Sequence, residues 1–292
     1  MNVAVNRWLA GREQGFKVFR LNNQQVELAV VPELGARIIS LKDLRTGREW
    51  LWYPDGGPRL FRNRAGDDFQ NSPLVGVDEC LPTIASCSWQ GRDLPDHGEA
   101  WSAAWALDFE AWTRGVLRTS VGLQIVPFDF ERTIELDENE VRFSYRLKNR
   151  SAAEEIYLWA MHPLLRLQAG DQLELPVSTR ALLNGAVWID ALNSIQPEGN
   201  CQKIFASPVC EGRAAINNPE TGDRFEFAWD AAENNTLGLW LNRGGWHGHH
   251  HFALEPSNGE PDVLTAAAQR RRCGVVPPHG TIAWQVCIRI GN

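Results

Sequence analysis

Hydrophobic and polar residues alternate with a period of two along much of this chain, most clearly in the segment 141–148. Its sequence, VRFSYRLK, places four apolar side chains on one face and four polar side chains on the other. This is the pattern of a strand with one buried face. The segment 130–136 precedes it across Asp137, Glu138 and Asn139, a composition typical of a hairpin turn. The two segments are therefore predicted to be neighbouring antiparallel strands.

Further strand patterns recur at short spacing over the rest of the chain. They cover the segments 27–31, 37–41, 117–125, 156–162, 223–229, 237–241, 249–255 and 281–290. Almost no stretch repeats apolar residues with the spacing of a helix, so strand–helix alternation is excluded. The pattern predicts an all-β fold, a large antiparallel β-sandwich with little helix. No linker or shift in composition divides the chain, so residues 1–292 are predicted to form a single domain.

Composition and charge narrow the possible partners. The chain has 292 residues, 43% of them hydrophobic and 22% charged, which is ordinary for a globular protein. A net charge of −7 argues against nucleic acid or an anionic membrane as partner.

The first residues, MNVAVNRWLAGREQG, are too polar for a signal peptide, and no window is apolar enough to span a bilayer. The six cysteines include no C-x-x-C pair, so we expect reduced thiols and a cytoplasmic location.

The most irregular part of the chain, residues 53–105, is rich in Pro, Gly, Asp and Trp. Loops of this length in compact domains are usually functional or disordered, and the aromatic content favours an ordered, functional loop. Within it, His97 stands between Asp96 and Gly98 in the sequence PDHGE. Glycine lets two backbone segments approach closely. A histidine beside it can bind a polar ligand or have a purely structural role.

Two later positions complete the candidate chemistry, because nucleophile elbows and glycine-rich phosphate loops are absent from the sequence. His162 ends an apolar run in WAMHP and could equally be a buried structural histidine. Glu255 closes the predicted strand HHHFALE, residues 249–255, on the same face as His249 and His251. Burial there would raise its pKa toward the value that a general base needs. A metal site formed by His249, His251 and Glu255 is the alternative.

These positions, in this order, resemble the galactose mutarotase-like superfamily, the relatives of aldose 1-epimerases. The resemblance covers most of the chain and rests on the opening hairpin at 27–52, GVDECLP at 76–82, His97-Gly98 with Trp105 after it, His162, Glu255-Pro256 and the closing strand at 276–286. It implies a large β-sandwich whose active site lies on the concave face of one sheet.

The resemblance also implies an activity, the interconversion of sugar anomers without a metal or organic cofactor. Glu255 would take the proton of the anomeric hydroxyl, and a protonated His162 would donate to the ring oxygen. His97 would orient the sugar. We further expect Asp78 and Glu79 to accept hydrogen bonds from sugar hydroxyls, and Trp101 or Trp105 to stack on the sugar. The expected partner is a small-molecule sugar, and the sequence leaves the oligomeric state open.

Two departures from the superfamily pattern bear on the substrate. Relatives that act on hexose phosphates carry an arginine where this chain has Trp101, so a phosphosugar is disfavoured unless Arg62 or Arg64 compensates. The superfamily also has a sugar-binding aspartate between the central histidine and the late glutamate. Asp171, Asp190 and Asp230 are the candidates here.

Three functions remain open from the sequence. The first is an aldose 1-epimerase acting on a free sugar. The second is a non-catalytic carbohydrate-binding protein on the same fold, because a fold does not determine a function. The third is a glycoside-processing enzyme that uses two carboxylates, Glu255 with Asp78 or Glu79.

Overall fold

Strands dominate the computed structural model, which describes residues 7–73, 75–183 and 199–291. The strands are β1 (Arg7–Glu13), β2 (Phe16–Asn22), β3 (Val26–Val31), β4 (Arg37–Asp43), β5 (Val77–Cys80), β6 (Cys87–Trp89), β7 (Arg92–Leu94), β8 (Ala106–Leu107), β9 (Leu117–Gly122), β10 (Phe128–Asp137), β11 (Glu140–Asn149), β12 (Glu155–Tyr157), β13 (Ala160–Pro163), β14 (Gln172–Glu174), β15 (Asn200–Ala206), β16 (Arg213–Asn218), β17 (Asp223–Trp229), β18 (Thr236–Arg243), β19 (His250–Ser257), β20 (Gly274–Val276) and β21 (Thr281–Ile290). The described helices are short: α1 (Phe109–Thr113), α2 (Val177–Leu182), α3 (Leu264–Gln269) and a 3₁₀ turn at Phe69–Asn71. None of them has the length and apolar character needed to cross a bilayer.

Two large antiparallel sheets form the predicted sandwich. The nine-stranded sheet has the order β1-β2-β3-β4-β5-β13-β19-β18-β15, and the eight-stranded sheet has the order β14-β16-β17-β21-β11-β10-β9-β8. Apolar side chains of both sheets meet in one core, for example Val77, Met161 and Leu254 from the first sheet with Phe130 and Phe143 from the second. The predicted fold class is confirmed, whereas the single-domain assignment stays a prediction.

The hairpin of β10 and β11 shows how the alternating pattern sets the fold. Side chains along β10 are alternately buried and exposed, so one face packs on the core. Asp137 pairs with Glu140, so the turn itself contains only Glu138 and Asn139. Glu138 has a φ of 49°, the left-handed conformation that such tight turns require. The predicted hairpin is confirmed, with a turn one residue shorter than expected.

Two predicted strands differ from the observed ones near the sheet centre. The segment 156–162 is divided into β12, which pairs with β20, and β13, which joins the nine-stranded sheet. The chain leaves the ladder between them because the Leu158 amide donates to Pro82 O and the Trp159 amide donates to the Asn258 side chain. Strand β19 continues past Glu255 to Ser257, so the glutamate lies within the strand instead of closing it.

Glu79 lies between the two sheets and is fully buried together with Arg132. One of its carboxylate oxygens accepts hydrogen bonds from Arg132 (2.8 Å) and the Tyr145 hydroxyl (2.9 Å), and the other accepts from Trp159 Nε1 (2.8 Å). Burial raises the pKa of Glu79, and the charge of Arg132 opposes that rise. The expectation that Glu79 binds sugar hydroxyls is therefore corrected, because its carboxylate is engaged inside the sandwich.

Removing one partner of this buried pair should strongly destabilise the protein. Arg132→Met leaves the Glu79 charge buried without its cation, and such changes cost about 3–5 kcal/mol. The control is Arg114→Met, which breaks an exposed ion pair with Glu110 and should cost about 1 kcal/mol or less. Urea unfolding of both variants measures the difference, and equal losses would contradict the structural role of Glu79.

Candidate functional site

The cross-strand register brings the two central candidates side by side on one face of the nine-stranded sheet. His162 pairs with Asp78 on one side, and the pairing of Ala160 with Ser257 places Glu255 opposite His162 on the other. Glu255 in turn pairs with Gly238 of β18. Because alternate residues of a strand face the same side, this row points away from the sandwich core.

A cavity of about 250 Å³ lies over this row. This is many times the space that one water molecule needs, so the cavity can hold a small organic molecule. His97, His162, His251 and Glu255 line it, together with residues that the sequence did not single out: Lys203, Asp262, Phe69, Trp240 and Trp246 among them. Of the predicted site residues, Glu255, His162 and His97 are thus brought together.

The carboxylate of Glu255 is only 1% exposed, and its two oxygens have different environments. Oε2 accepts a hydrogen bond from Lys203 Nζ at 2.7 Å. Oε1 has no hydrogen-bond partner and lies 3.8 Å from His162 Nε2. Burial raises the pKa of Glu255, while the charge of Lys203 works against that rise. The expectation of a raised pKa is confirmed, and Oε1 is the oxygen free to accept a proton.

Lys203 joins two carboxylates at the wall of the cavity. Its ammonium lies 2.7 Å from Glu255 Oε2 and 2.8 Å from Asp262 Oδ1. Burial alone would lower the pKa of Lys203, but the two carboxylates outweigh burial and raise it, so the side chain is a permanent cation. Gly238 has no side chain to fill the space beside Glu255: a Cβ there would lie 3.1 Å from Oε2. A side chain at this position would therefore press on the Glu255 carboxylate.

The surroundings of His162 disfavour its protonated form. Burial lowers its pKa well below the usual value, and the positive charges of neighbouring groups, Lys203 and Arg37 among them, lower it further. The expectation of a protonated His162 is thereby corrected. A neutral imidazole can still polarise an oxygen by donating a hydrogen bond.

His97 is held in place by its neighbours. Its Nδ1 lies 3.0 Å from Asp96 Oδ1, which leaves Nε2 as the nitrogen free for a ligand, and its ring stacks on Phe69 at 4.0 Å. Burial would raise the pKa of Asp96, but its hydrogen bonds, first that of His97, hold the pKa below the usual value. The carboxylate is therefore charged and orients the imidazole.

Gly98 is required by a close backbone contact, as the sequence suggested. It has a φ of +72°, and a Cβ there would lie 2.1 Å from Leu81 O. The group that approaches is the chain at Leu81, whose amide and carbonyl bond to His97 O and Glu99 N. The glycine therefore fixes the position of His97 against strand β5.

Gly98→Ala should destabilise the protein more than a matched glycine change. Gly91 has nearly the same φ, +73°, but nothing within 4 Å of a Cβ. Gly91→Ala should cost about 1–2 kcal/mol from conformation alone, and Gly98→Ala should cost more because its methyl group collides with backbone. Thermal unfolding of both variants tests this, and equal stabilities would show that the contact with Leu81 is unimportant.

Two other predicted sugar contacts lie outside the cavity. Asp78 is fully buried, with its Oδ1 2.6 Å from Arg37 Nη2, and burial raises its pKa to about 6. Trp101 is 1% exposed and donates from Nε1 to Asp96 O. Both side chains are buried and hold the loop and the sheet in place. The expectation that they bind sugar directly is therefore corrected. Trp105 is likewise buried, where it packs on Phe130.

The candidate aspartates of the sequence are not at the site either. Asp171 is bound to Arg48 at 2.6 Å, inside the protein. Asp230 is exposed and accepts a hydrogen bond from the Ala232 amide in a turn. Asp190 lies outside the described residues. The cavity instead contains Asp262, which follows Glu255 in the chain.

The arrangement of His249, His251 and Glu255 does not support the alternative metal site. His251 and Glu255 line the cavity, but the His249 ring packs on Trp52 at 5.0 Å and stays outside the lining. Burial lowers the pKa of His251 to about 3, and its Nε2 accepts a hydrogen bond from Trp240. Across the described ranges, ligand-type atoms cluster instead at Cys80, His97 and His162.

Buried polar atoms without partners mark the cavity as a ligand site. His162 Nδ1, His251 Nδ1 and Glu255 Oε1 are all buried without a hydrogen bond in the described structure. An unsatisfied buried polar atom costs about 1–3 kcal/mol. These three atoms belong to residues that line one cavity, where a bound molecule could satisfy them.

Comparison with known proteins identifies the fold. No family model matches the sequence, and no curated protein matches it. Among solved structures, a candidate aldose 1-epimerase from Klebsiella pneumoniae superposes with a TM-score of 0.75 at 14% identity, covering 98% of this chain and 83% of its own. A galactose mutarotase-like protein from Clostridium acetobutylicum gives 0.68 at 13% identity over 100% of both chains. A galactose mutarotase related enzyme from Lactobacillus acidophilus gives 0.69 at 13% identity, covering 94% of this chain and 97% of its own. The chain therefore has the fold of the galactose mutarotase-like proteins, as its sequence motifs indicated.

Proposed function

We propose that this protein is an aldose 1-epimerase that interconverts the anomers of a free, uncharged sugar. The observation that carries the proposal is the pairing of Glu255 Oε1 with His162 Nε2 at 3.8 Å, with no direct hydrogen bond between them. The anomeric hydroxyl and the ring oxygen of a sugar are bonded to the same carbon. A base and an acid that serve these two oxygens must be near neighbours, as these two groups are.

The proton transfers follow from this geometry. Glu255 takes the proton of the anomeric hydroxyl as the C1–O1 bond becomes a carbonyl and the bond from C1 to the ring oxygen breaks. His162 donates a hydrogen bond that polarises the ring oxygen, and the proton held by Glu255 passes to that oxygen as it takes the electron pair, so the imidazole stays neutral throughout. Rotation about C1–C2 and the reverse transfers close the ring on the other face. No proton or electron is gained or lost over the cycle.

The remaining lining residues fit a neutral sugar. Trp240, Trp246 and Phe69 give the cavity flat apolar surface, the kind of surface that packs on the C–H faces of a sugar ring. Lys203 is the cation in the lining, and two carboxylates already neutralise it. Arg62 pairs with Glu33 at the surface, and neither Arg62 nor Arg64 lines the cavity. A phosphate group in the cavity would therefore be repelled by the carboxylates of its lining.

Two other functions are weaker in this geometry. The two-carboxylate glycoside mechanism expected of Glu255 with Asp78 or Glu79 is not available, because both partners are buried in ion pairs with arginines. Asp262, another carboxylate in the cavity, is paired with Lys203. A non-catalytic carbohydrate-binding protein would use the same cavity, but it would not need a base with a raised pKa and a free oxygen beside a histidine.

The experiment that tests the proposal follows anomer equilibration by NMR. Pure α-anomers of neutral aldoses and of their 6-phosphates are added to the protein, and exchange rates are compared with buffer. We expect acceleration for at least one neutral aldose and little for the phosphates. Sugar binding without acceleration of any aldose would support the carbohydrate-binding function instead.

A further inference from the structure

Three metal-ligating side chains meet beside the proposed acid–base pair. One ligand atom each from Cys80, His97 and His162, a thiol sulfur and two ring nitrogens, lie within 4.8 Å of one another. The sheet explains two of the three: Cys80 comes two residues after Asp78 on β5, so it faces the same side as His162, the cross-strand partner of Asp78. The loop fixed by Gly98 brings His97 to the same place.

The separations suit a tetrahedral zinc ion after a small adjustment. With zinc–sulfur bonds of about 2.3 Å and zinc–nitrogen bonds of about 2.1 Å, tetrahedral ligand atoms lie about 3.5 Å apart. The observed group must therefore close by at most about 1.3 Å, which rotations of the side chains can supply. Thiol and imidazole donors favour zinc over magnesium or calcium, which prefer oxygen.

Glu255 offers a fourth ligand and a compensating charge. Its Oε1 has no hydrogen-bond partner and lies 3.8 Å from His162 Nε2, next to the cluster of three rather than within it, so the carboxylate must move toward Cys80 and His97 to complete the site. The Cys80 thiolate and the Glu255 carboxylate would together neutralise a divalent ion, which a buried site requires. His162 Nδ1 is also unpartnered. Either ring nitrogen of His162 can therefore bind a metal without breaking a hydrogen bond.

We propose that Cys80, His97 and His162, with Glu255 as the fourth ligand, bind a zinc ion that excludes the sugar and inhibits the protein. The site overlaps the two residues to which we assign the proton transfers, so ion and sugar compete. The inhibition rests on the proposed epimerase function, whereas the binding of the ion does not.

Cobalt(II), which replaces zinc and is coloured, tests the binding without any activity assay. Titration of the reduced full-length chain should give the near-ultraviolet charge-transfer absorption of a thiolate bound to cobalt, and added zinc should remove it. Cys80→Ala should abolish this absorption. It should also weaken zinc binding by more than about 100-fold, since changes even outside the ligand shell cost about 10- to 100-fold. Cys210→Ala, at an exposed cysteine, is the matched control and should behave as wild type.

A second variant guards against loss of folding in Cys80→Ala. His97→Ala keeps the thiol and should also weaken binding, and thermal unfolding monitors the fold of each variant. Wild-type protein with no thiolate–cobalt absorption would overturn the proposal, as would absorption that persists unchanged in Cys80→Ala.

The inhibition is tested separately in the anomer assay. Zinc should raise the apparent KM for the sugar, and EDTA should restore it. Zinc binding with no effect on an active protein would refute the competition. A protein that accelerates no aldose would refute the epimerase function, while the cobalt titration would still decide the metal site.

Discussion

Glu255→Gln should reduce the rate of anomer exchange by about 10²- to 10⁴-fold, the range that a positioned acid or base contributes. Glutamine has the shape of the carboxylate but cannot accept the proton of the anomeric hydroxyl. The cavity keeps its volume and its aromatic walls, so sugar binding should change little. NMR exchange rates under saturating sugar, together with calorimetric binding, separate the two effects.

The same experiment has a matched control and a partner variant. Glu154 is exposed and does not line the cavity, so Glu154→Gln should exchange anomers at the wild-type rate. His162→Asn removes Nε2, the atom that donates to the ring oxygen, because the shorter amide cannot reach that position, and should produce a loss comparable to that of Glu255→Gln. Near-wild-type exchange in Glu255→Gln, with its fold intact by thermal unfolding, would exclude Glu255 as the base.

The parts of the site that the sequence predicted are those set by local pattern. His162 and Glu255 each occupy a strand whose alternation determines which face they share, and a proline follows each of them. The sheet register then makes them neighbours. The role of Gly98 could be predicted because only glycine, which has no Cβ, allows another part of the backbone to come this close.

The parts that the sequence missed depend on distant strands. Lys203 reaches Glu255 from β15, across β18. Asp262 lies in the loop after β19, and no local pattern connects it to Lys203. The pairing of a long side chain with a carboxylate two strands away is a property of sheet order, which alternation alone does not give.

Asp78 and Glu79 show an error that the sequence itself could have prevented. Adjacent residues of a strand face opposite sides of its sheet, so two consecutive carboxylates cannot both line one cavity. In the structure Glu79 faces the core and Asp78 lies beneath the histidines in an ion pair with Arg37. Trp101 is different, because its position depends on the path of a long loop.

The pH dependence of exchange should move in opposite directions when the two neighbours of Glu255 are changed. The charge of Lys203 lowers the pKa of Glu255, whereas the charge of Asp262 raises it. Lys203→Met should therefore raise the pKa of the base and shift the acidic limb of the rate profile to higher pH. Asp262→Asn should lower the pKa and shift that limb to lower pH. Charges this close typically shift a pKa by about 1–3 units.

Opposite shifts distinguish electrostatic control from a structural role, since a damaged site would lose rate at every pH. His97, whose positive form would also lower the pKa of Glu255, is unchanged in both variants and adds equally to each profile. Lys148→Met and Asp137→Asn make the same two substitutions at exposed positions on β11 and β10. These controls should leave the acidic limb of the rate profile at its wild-type pH. The profiles are measured as kcat/KM for the aldose that the wild-type protein exchanges fastest, because kcat/KM reports the free protein. Shifts of the same sign in Lys203→Met and Asp262→Asn would contradict the assignment of Glu255 as a base tuned by this pair.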